Sequence, residues 1–366
     1  MTPLKSESGE HILFSLRNLY KTHGYSQYKM NKFEEYDLYA RNKDFLVSDR
    51  VIAFTDGNGK LLALKPDVTL SIVKNSKDSD TPQRLYYTEN VYRVAKGNHN
   101  FKEIMQVGLE CMGRIDDYCI YEVLHLAAES LLAISPANVL CVSHLGVISE
   151  LLDALSVPES SKPEVFRLIG EKNAHELNAL LCTLGVDENG IGLLSSLVSV
   201  KGKAFDVLPG LVTLLKGKVS PETLSGFVGV LSAFEPENAP VVDFSTVDDI
   251  HYYNGFAFKG FVEGIAVPVL SGGQYDKLMK KMGRSSGAIG FAVYFDEIEQ
   301  LSHQRPQFDV DTFVLYDGTT ALPELTAITK SIAADGKSFA AGTGIPADLR
   351  YRTLITIKNG KAVEHA

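Results

Sequence analysis

The chain is short of the features that usually assign a protein quickly. Its four cysteines, Cys111, Cys119, Cys141 and Cys182, form no CxxC pair, and no histidine cluster accompanies them. That spacing argues against a zinc site or a disulfide framework and suits a reducing cytoplasm. Basic residues are outnumbered: 36 Lys and Arg against 45 Asp and Glu leave a net charge of −9. A chain that mainly held nucleic acid would show the opposite balance, so RNA binding is not expected. No apolar run is long enough to span a bilayer, and the opening MTPLKSESGE holds no signal core, so the expected location is cytoplasmic. Internal repeats and low-complexity stretches are also missing.

What is present is an ordinary globular balance of 45% apolar and 22% charged residues over 366 positions. That length exceeds one core and implies two or three domains. Ile12, Leu13, Leu16, Leu19 and Tyr20 fall at helical spacing between Gly9 and His23, with Gly24 as a stop. The stretch VIAFTDGNGKLLAL, residues 51–64, reads as a hairpin split by Asp-Gly-Asn-Gly. Pro66 then disfavours helix at Lys65, and the following LSIVKN starts one that Asp67 or Thr69 can cap. A Leu/Ala-rich helix over 118–133, a buried strand at VLCVSHLG and a helix at VISELLDAL follow.

From 156 to 237 the pattern turns helical throughout, with Ser220-Pro221-Glu222 as a helix start, and reads as an all-helical insertion. The sheet resumes at Val241. A strand is expected to begin at His251, and Ser271-Gly272-Gly273 reads as a Gly-rich turn opening a helix. Beyond Pro306, the segments TFVLY, Leu322–Ala334, SFAAG and TLITIK give a small α/β unit. The expected domains are therefore a core over 1–305, interrupted by the insertion at 156–237, and a C-terminal unit over 306–366.

The informative stretch is Gln83 to Gly113, two antiparallel strands joined by a loop. In the second, Met105, Val107, Leu109 and Cys111 alternate with Gln106, Gly108 and Glu110. Period-2 alternation puts the two sets on opposite sheet faces. The polar face holds an amide, a missing side chain and a carboxylate, with Arg93 on the partner strand. A strand-interior glycine often marks the close approach of a ligand. Such a face suits a small zwitterion, although an exposed face with a bulge has the same pattern.

Several motifs then coincide in order, and the chain resembles histidyl-tRNA synthetase and its paralogues. Leu64 to Thr69 (LKPDVT) is similar to that family's LRPE-x-T segment. LYYTENVYR followed by QVGLE resembles class II motif 2 with its adjoining strand, and IHYYNGFAF the histidine-specific GLDYYTG segment. GGQYDKL followed by GAIGFAVYFDEI resembles GGRYD and motif 3. The resemblance covers residues 9 to 301, with the C-terminal unit a shortened echo of an anticodon-binding domain. It implies an α+β fold of the class II aminoacyl-tRNA synthetase type: a dimeric protein with an antiparallel sheet flanked by helices, a helical insertion and a small C-terminal α/β unit.

The departures from the family decide the expected activity. Asp248 stands where a synthetase has a catalytic Arg, and Glu297 where motif 3 ends in the Arg that grips ATP. Ala95 replaces the acid after the motif 2 Arg, Asn31 the motif 1 Pro, and Gln274 the Arg of GGRYD. Removing one donor aimed at developing phosphate charge costs about 2.7–4 kcal/mol. An acid in its place adds repulsion toward a polyphosphate. Aminoacylation is therefore not expected.

The amino-acid end of the pocket is kept. By resemblance, Asp67 and Thr69 meet the α-amino group, and Arg93 and Gln106 hold the carboxylate. Glu110 and Tyr252 engage the imidazole, with Tyr253 and Tyr275 as walls. Among the paralogues, the pattern resembles the regulatory subunits of ATP phosphoribosyltransferase. That resemblance implies no catalysis, no cofactor or metal, and L-histidine as effector. It implies a short-form ATP phosphoribosyltransferase catalytic subunit as partner, in a hetero-octamer built on homodimers, with feedback inhibition. Two other readings stay open: a divergent adenylate-forming ligase that keeps Arg93, and a tRNA-sensing module.

Overall fold

A computed structural model describes residues 9–46, 51–94, 100–247, 252–299, 308–358 and 361–365. The chain divides into two compact units, Met1–Leu301 and Ser302–Ala366.

In the first unit, helix α1 (Gly9–Thr22) buries Ile12, Leu16 and Tyr20, the i, i+4, i+8 stripe expected for it. Strand β1 (Ser26–Gln27), strand β2 (Phe33–Glu35), helix α2 (Tyr36–Arg41), strands β3 (Ala53–Thr55) and β4 (Leu61–Leu64) and helix α3 (Thr69–Asn75) follow. Then come β5 (Gln83–Val94), β6 (Phe101–Gly113), α4 (Asp117–Ile134), β7 (Asn138–His144) and α5 (Leu145–Ala154). The helical stretch holds α6 (Lys162–Gly170), α7 (Ala174–Thr183), α8 (Glu188–Ser199), the short strand β8 (Lys201–Lys203), α9 (Ala204–Leu215) and α10 (Pro221–Ser232). Strands β9 (Val241–Asp243), β10 (Phe256–Val262) and β11 (Leu270–Gln274), helix α11 (Asp276–Lys281), strand β12 (Gly287–Tyr294) and helix α12 (Phe295–Glu299) complete the unit.

Among the described residues the main sheet runs β1-β5-β6-β12-β11-β10-β7-β9-β8, and β2-β4-β3 form a smaller one. The main sheet is mixed rather than purely antiparallel, because β1 runs parallel to β5 and β9 parallel to β7. Three further expectations change. The 156–237 stretch is not all helical, since β8 pairs with β9 and adds an edge strand. The strand expected from His251 begins at Phe256; Asn254 and Gly255 break the extended run. Residues 270–274 are a strand, β11, and not a turn, since both glycines are paired across β10 and β12.

The two sheet faces carry different cores. Val107, Leu109 and Cys111 join α1, α4 and the helical stretch in one continuous cluster. Tyr87, Met112, Tyr252 and Tyr275 belong to the other. Burying each large aliphatic side chain contributes about 1.5–3 kcal/mol, so the continuous first cluster pins the sheet from behind. The opposite face is left to carry the site. N-caps sharpen the supporting helices: Asp116 accepts from the Cys119 amide at 2.9 Å, and Ser220 from the Thr223 amide at 3.2 Å.

The second unit has β13 (Val310–Tyr316), α13 (Leu322–Ala334), β14 (Phe339–Gly342), β15 (Tyr351–Lys358) and β16 (Lys361–His365). The strand order is β14-β13-β15-β16, with Ile332 of α13 packed against Val314 and Ile357.

Candidate functional site

The site is a trough in the main sheet, and the register explains it. Across one row, Glu110 lies opposite Gly290, Gly290 opposite Gly273, and Gly273 opposite Ala257. In the next row Gly108, Ala292, Ser271 and Lys259 follow one another. Paired residues point to the same face, so four adjacent strands present small side chains flanked by Glu110 on β6 and Lys259 on β10. A Cβ on Gly290 would lie 1.8 Å from Glu110 Oε2, and one on Gly108 would lie 2.5 Å from the Tyr87 hydroxyl. Only glycine leaves the carboxylate and the phenol where they stand.

Glu110, in the floor of the trough, is 2% exposed. The Thr69 hydroxyl donates to its Oε1 at 2.7 Å, and the Tyr275 phenol to its Oε2 at 2.7 Å. Burial nevertheless pushes its carboxyl up to about 8, against the opposing effect of both donors. Asp67, just before α3, accepts from the Leu70 amide at 2.8 Å and so caps that helix from outside. Burial raises its carboxyl too, with the Leu70 amide and the Arg93 charge acting the other way. Arg93 Nε donates to the Pro66 carbonyl at 3.0 Å, which ties the guanidinium to the Asp67 segment.

Tyr252 stacks on edge against Tyr253 at 4.9 Å and tilts toward Tyr275 at 5.8 Å between ring centroids. Burial raises the Tyr252 and Tyr275 phenols well above their ordinary value. All eight residues expected from the sequence, Asp67, Thr69, Arg93, Gln106, Glu110, Tyr252, Tyr253 and Tyr275, line one cavity of about 280 Å³. Within it, Glu110 is bonded to Tyr275 and Thr69, so Tyr275 is more than a wall.

Thr246, Lys259, Ser271 and Tyr294 line the same cavity and were missed from the sequence. Lys259 sits in the run FAFKGFV, where strict alternation from Ala257 was the available signal. Ser271 was hidden by the turn reading of its Gly-Gly neighbours. Ser271 Oγ and the Tyr294 hydroxyl form a hydrogen bond of 2.6 Å.

Gln274, in place of a cation, has a structural use: its Oε1 accepts the Phe256 amide at 2.8 Å. Glu297 lies on α12 and is partly buried. Asp248, Ala95 and His251 lie outside the described residues. Among the described residues, no cluster of His, Cys, Asp or Glu is placed to hold a metal ion, and no helix is long and apolar enough to cross a membrane.

A trough on a mainly antiparallel sheet, with motif-positioned acids and tyrosines at its floor, defines a class II synthetase-like protein. The histidyl-tRNA synthetase family model matches residues 1–298. The ATP phosphoribosyltransferase regulatory subunit of Clostridium novyi is 31% identical over 300 residues, covering 77% of this chain and 70% of that one. The subunit of the same name from Oceanobacillus iheyensis is 27% identical over 295 residues, covering 78% and 72%. The chain therefore belongs to the ATP phosphoribosyltransferase regulatory subunits of the histidyl-tRNA synthetase family. Its fold matches a regulatory subunit/histidyl-tRNA synthetase structure from Bacillus halodurans, with TM-score 0.76, 23% identity and coverage of 95% and 93%. It also matches a chain of the ATP phosphoribosyl transferase (HisG:HisZ) complex from Thermotoga maritima, with TM-score 0.61, 17% identity and coverage of 80% and 98%.

Proposed function

We propose that this chain is a regulatory subunit without catalysis of its own, acting in the cytoplasm. It binds and activates a short-form ATP phosphoribosyltransferase catalytic subunit in the first step of histidine biosynthesis, and it carries histidine feedback inhibition. The regulatory subunits of Oceanobacillus iheyensis and Clostridium novyi support the role, and the HisG:HisZ complex of Thermotoga maritima supports the partner. The assembly is a hetero-octamer built on homodimers of this chain.

The observation that carries the effector is the cavity itself. Asp67, Thr69 and Glu110 offer acceptors for an ammonium and an imidazole, the tyrosines enclose a planar ring, and Arg93 and Gln106 complete a zwitterion site. Glu297 at the end of the motif 3 segment, where a polyphosphate needs a cation, speaks against adenylate chemistry. Feedback then works by linkage: histidine binds one state of the assembly better than the other, and that difference bounds the inhibition.

The test is to mix the protein with a short-form catalytic subunit and measure both assembly and rate. Complex formation with a rate increase that histidine reverses is the expected result; no complex and no rate change sinks the reading. Arg93, as a retained cation, favours a ligase instead. Histidine-dependent exchange of pyrophosphate into ATP would establish that alternative, and a tight tRNA gel shift at moderate salt would establish a tRNA sensor.

A further inference from the structure

Glu110 takes its two donors from the starts of two short helices. Thr69 opens α3, and Tyr275 is the N-cap of α11. The helices have seven and six residues, too few to be stable alone in water. Their placement comes from what grips them, and that grip decides where the two hydroxyls stand. Each is tied to a strand near it. Ser71 and Lys74 of α3 bond to Glu34 of β2 at 2.9 and 2.7 Å, and Asp276 of α11 accepts the Ala288 amide of β12 at 2.9 Å. Val73, Leu278 and Met279 share one apolar cluster. Apolar packing is non-directional, so it leaves one helix free to slide past the other.

A clasp at the far ends joins the two helices to each other. The turn after α11 carries Arg284, whose guanidinium donates to the Lys74 carbonyl at 3.1 Å and, more weakly, to the Val73 carbonyl at 3.5 Å. Both carbonyls lie in the last turn of α3, where a helix leaves acceptors without internal donors and its dipole favours a cation. The Arg284 amide bonds back to the Met279 carbonyl at 2.8 Å, so the same residue closes α11. In return Asp78, three residues past the end of α3, accepts from the other side. It takes the Ser285 and Ser286 amides at 3.0 and 3.1 Å and the Ser286 hydroxyl at 2.7 Å. The buried Arg284 Nε finds no partner among the described residues, so the α3 carbonyls and not full pairing set the place of the guanidinium.

We infer that Arg284 and Asp78 are positioning residues for the effector site: they lock α3 against α11, and so hold Thr69 and Tyr275 within hydrogen-bond reach of Glu110. Both lie outside the residues that line the cavity, and they act on a ligand only through the carboxylate that the two donors fix. The inference rests on the reading of the cavity as a histidine site. Its direct consequence, however, is read on Glu110 itself. Both donors favour the ionised carboxylate, so a released clasp makes Glu110 a weaker acid. The Ser286 hydroxyl and the Ser285 amide hold the Asp78 carboxyl down at about 2, so its charge stays constant while Glu110 titrates.

The experiment uses the full-length chain and the variants Arg284→Met, Asp78→Ala and Asp78→Asn, the last of which keeps an acceptor oxygen for the Ser286 amide and hydroxyl. The Glu110 carboxyl is titrated in the unliganded protein by carbon-13 NMR, with Glu110→Gln assigning its signal. Histidine binding is measured by calorimetry at pH 7 and pH 9. Arg284→Met and Asp78→Ala should each raise the Glu110 midpoint by roughly half a unit to one unit, as its donors loosen. Each should weaken histidine about three- to tenfold at pH 7 and by a smaller factor at pH 9. Asp78→Asn should stay close to the wild type in both. Histidine binding by the wild type, with an unchanged Glu110 midpoint in Arg284→Met and Asp78→Ala, overturns the clasp and leaves the histidine site standing, whatever happens to the melting temperatures. No histidine binding by the wild type overturns the reading of the cavity and takes the clasp's role with it. Should circular dichroism show Arg284→Met unfolded, the two Asp78 variants decide, and equal Glu110 midpoints in them overturn the proposal.

Discussion

The Tyr275 phenol donates to Glu110 Oε2 across 2.7 Å, joining the N-terminal cap of α11 to the middle of β6. The bond crosses the row in which Gly290 and Gly273 leave the sheet bare. It therefore holds a carboxylate over a hollow, where both water and packing would otherwise compete for it. Thr69 completes the clamp from α3. Although both donors favour its ionised form, burial keeps this carboxyl largely protonated near neutral pH.

Glu110→Gln should therefore change the pH dependence of stability. The folded carboxyl is raised to about 8 from an ordinary 4.5. The folded state thus binds the proton more tightly than the unfolded one between those values. Its contribution is fully present below about 4.5 and is lost as pH rises through about 8, on the order of a few kcal/mol. Melting temperatures of the unliganded protein should fall over this window more steeply in the wild type than in Glu110→Gln. Parallel curves would count against the raised carboxyl.

Ligand binding should release a proton. Near neutral pH Glu110 is largely protonated, and a cationic partner favours its ionised form. The apparent enthalpy of histidine binding should then vary with the ionisation enthalpy of the buffer. Tyr275→Phe and Thr69→Ala each remove a donor that favours the carboxylate, so each should raise the Glu110 carboxyl further. Each should also weaken histidine at pH 7 more than at pH 9. An affinity loss independent of pH would mean that these residues act by shape alone.

The site was legible where one sheet face is sealed. The alternation of Val107, Leu109 and Cys111 with Gln106, Gly108 and Glu110 separates the two faces in the sequence; that the first set enters the main core and that Gln106 and Glu110 are buried decides against an exposed face. It was illegible where small residues floor the trough. Gly272 and Gly273 carry turn chemistry in isolation, and only the register of Gly273 with Gly290 and Ala257 shows that this strand floors a trough. The aromatic pair Tyr252-Tyr253 has strong strand propensity, yet its rings wall the cavity ahead of β10, and tertiary packing overrode the local preference. Lys259 sits in an apolar run, and only the ladder that sets it beside Ser271 shows that it reaches the cavity.

Gly290→Ala should uncouple binding from folding. The added Cβ would lie 1.8 Å from Glu110 Oε2 and 2.5 Å from the Leu109 carbonyl. The carboxylate can swing away, whereas the backbone must shift. Overpacking of this kind costs about 1–3 kcal/mol. The variant should fold with a lowered melting temperature and bind histidine at least about tenfold more weakly, since the clamp from Tyr275 and Thr69 is broken. Wild-type affinity would show that Glu110 does not meet the ligand.

The segment that delivers Asp67 and Thr69 should be sensitive at Lys65. Its side chain is 1% exposed and its ammonium bonds to Glu89, itself 16% exposed. Burial lowers the Lys65 ammonium from its ordinary value despite that partner. The Lys65 carbonyl also accepts the Tyr92 amide at 2.9 Å, which fixes the approach to α3 against β5. Removing one member of a buried pair leaves the other uncompensated and costs about 3–5 kcal/mol, whereas replacing both with apolar residues is often neutral. Lys65→Met should therefore destabilise strongly, and Lys65→Met with Glu89→Leu should recover most of that loss. Glu89 also accepts the Met30 amide at 3.4 Å, so recovery should stop short of complete. Because Lys65 lies two residues before Asp67, Lys65→Met should also weaken histidine, and the double variant should restore much of the affinity along with the stability. Denaturant midpoints and histidine titrations on the three variants measure both, and recovery of stability without affinity would show that the pair holds the sheet and not the site.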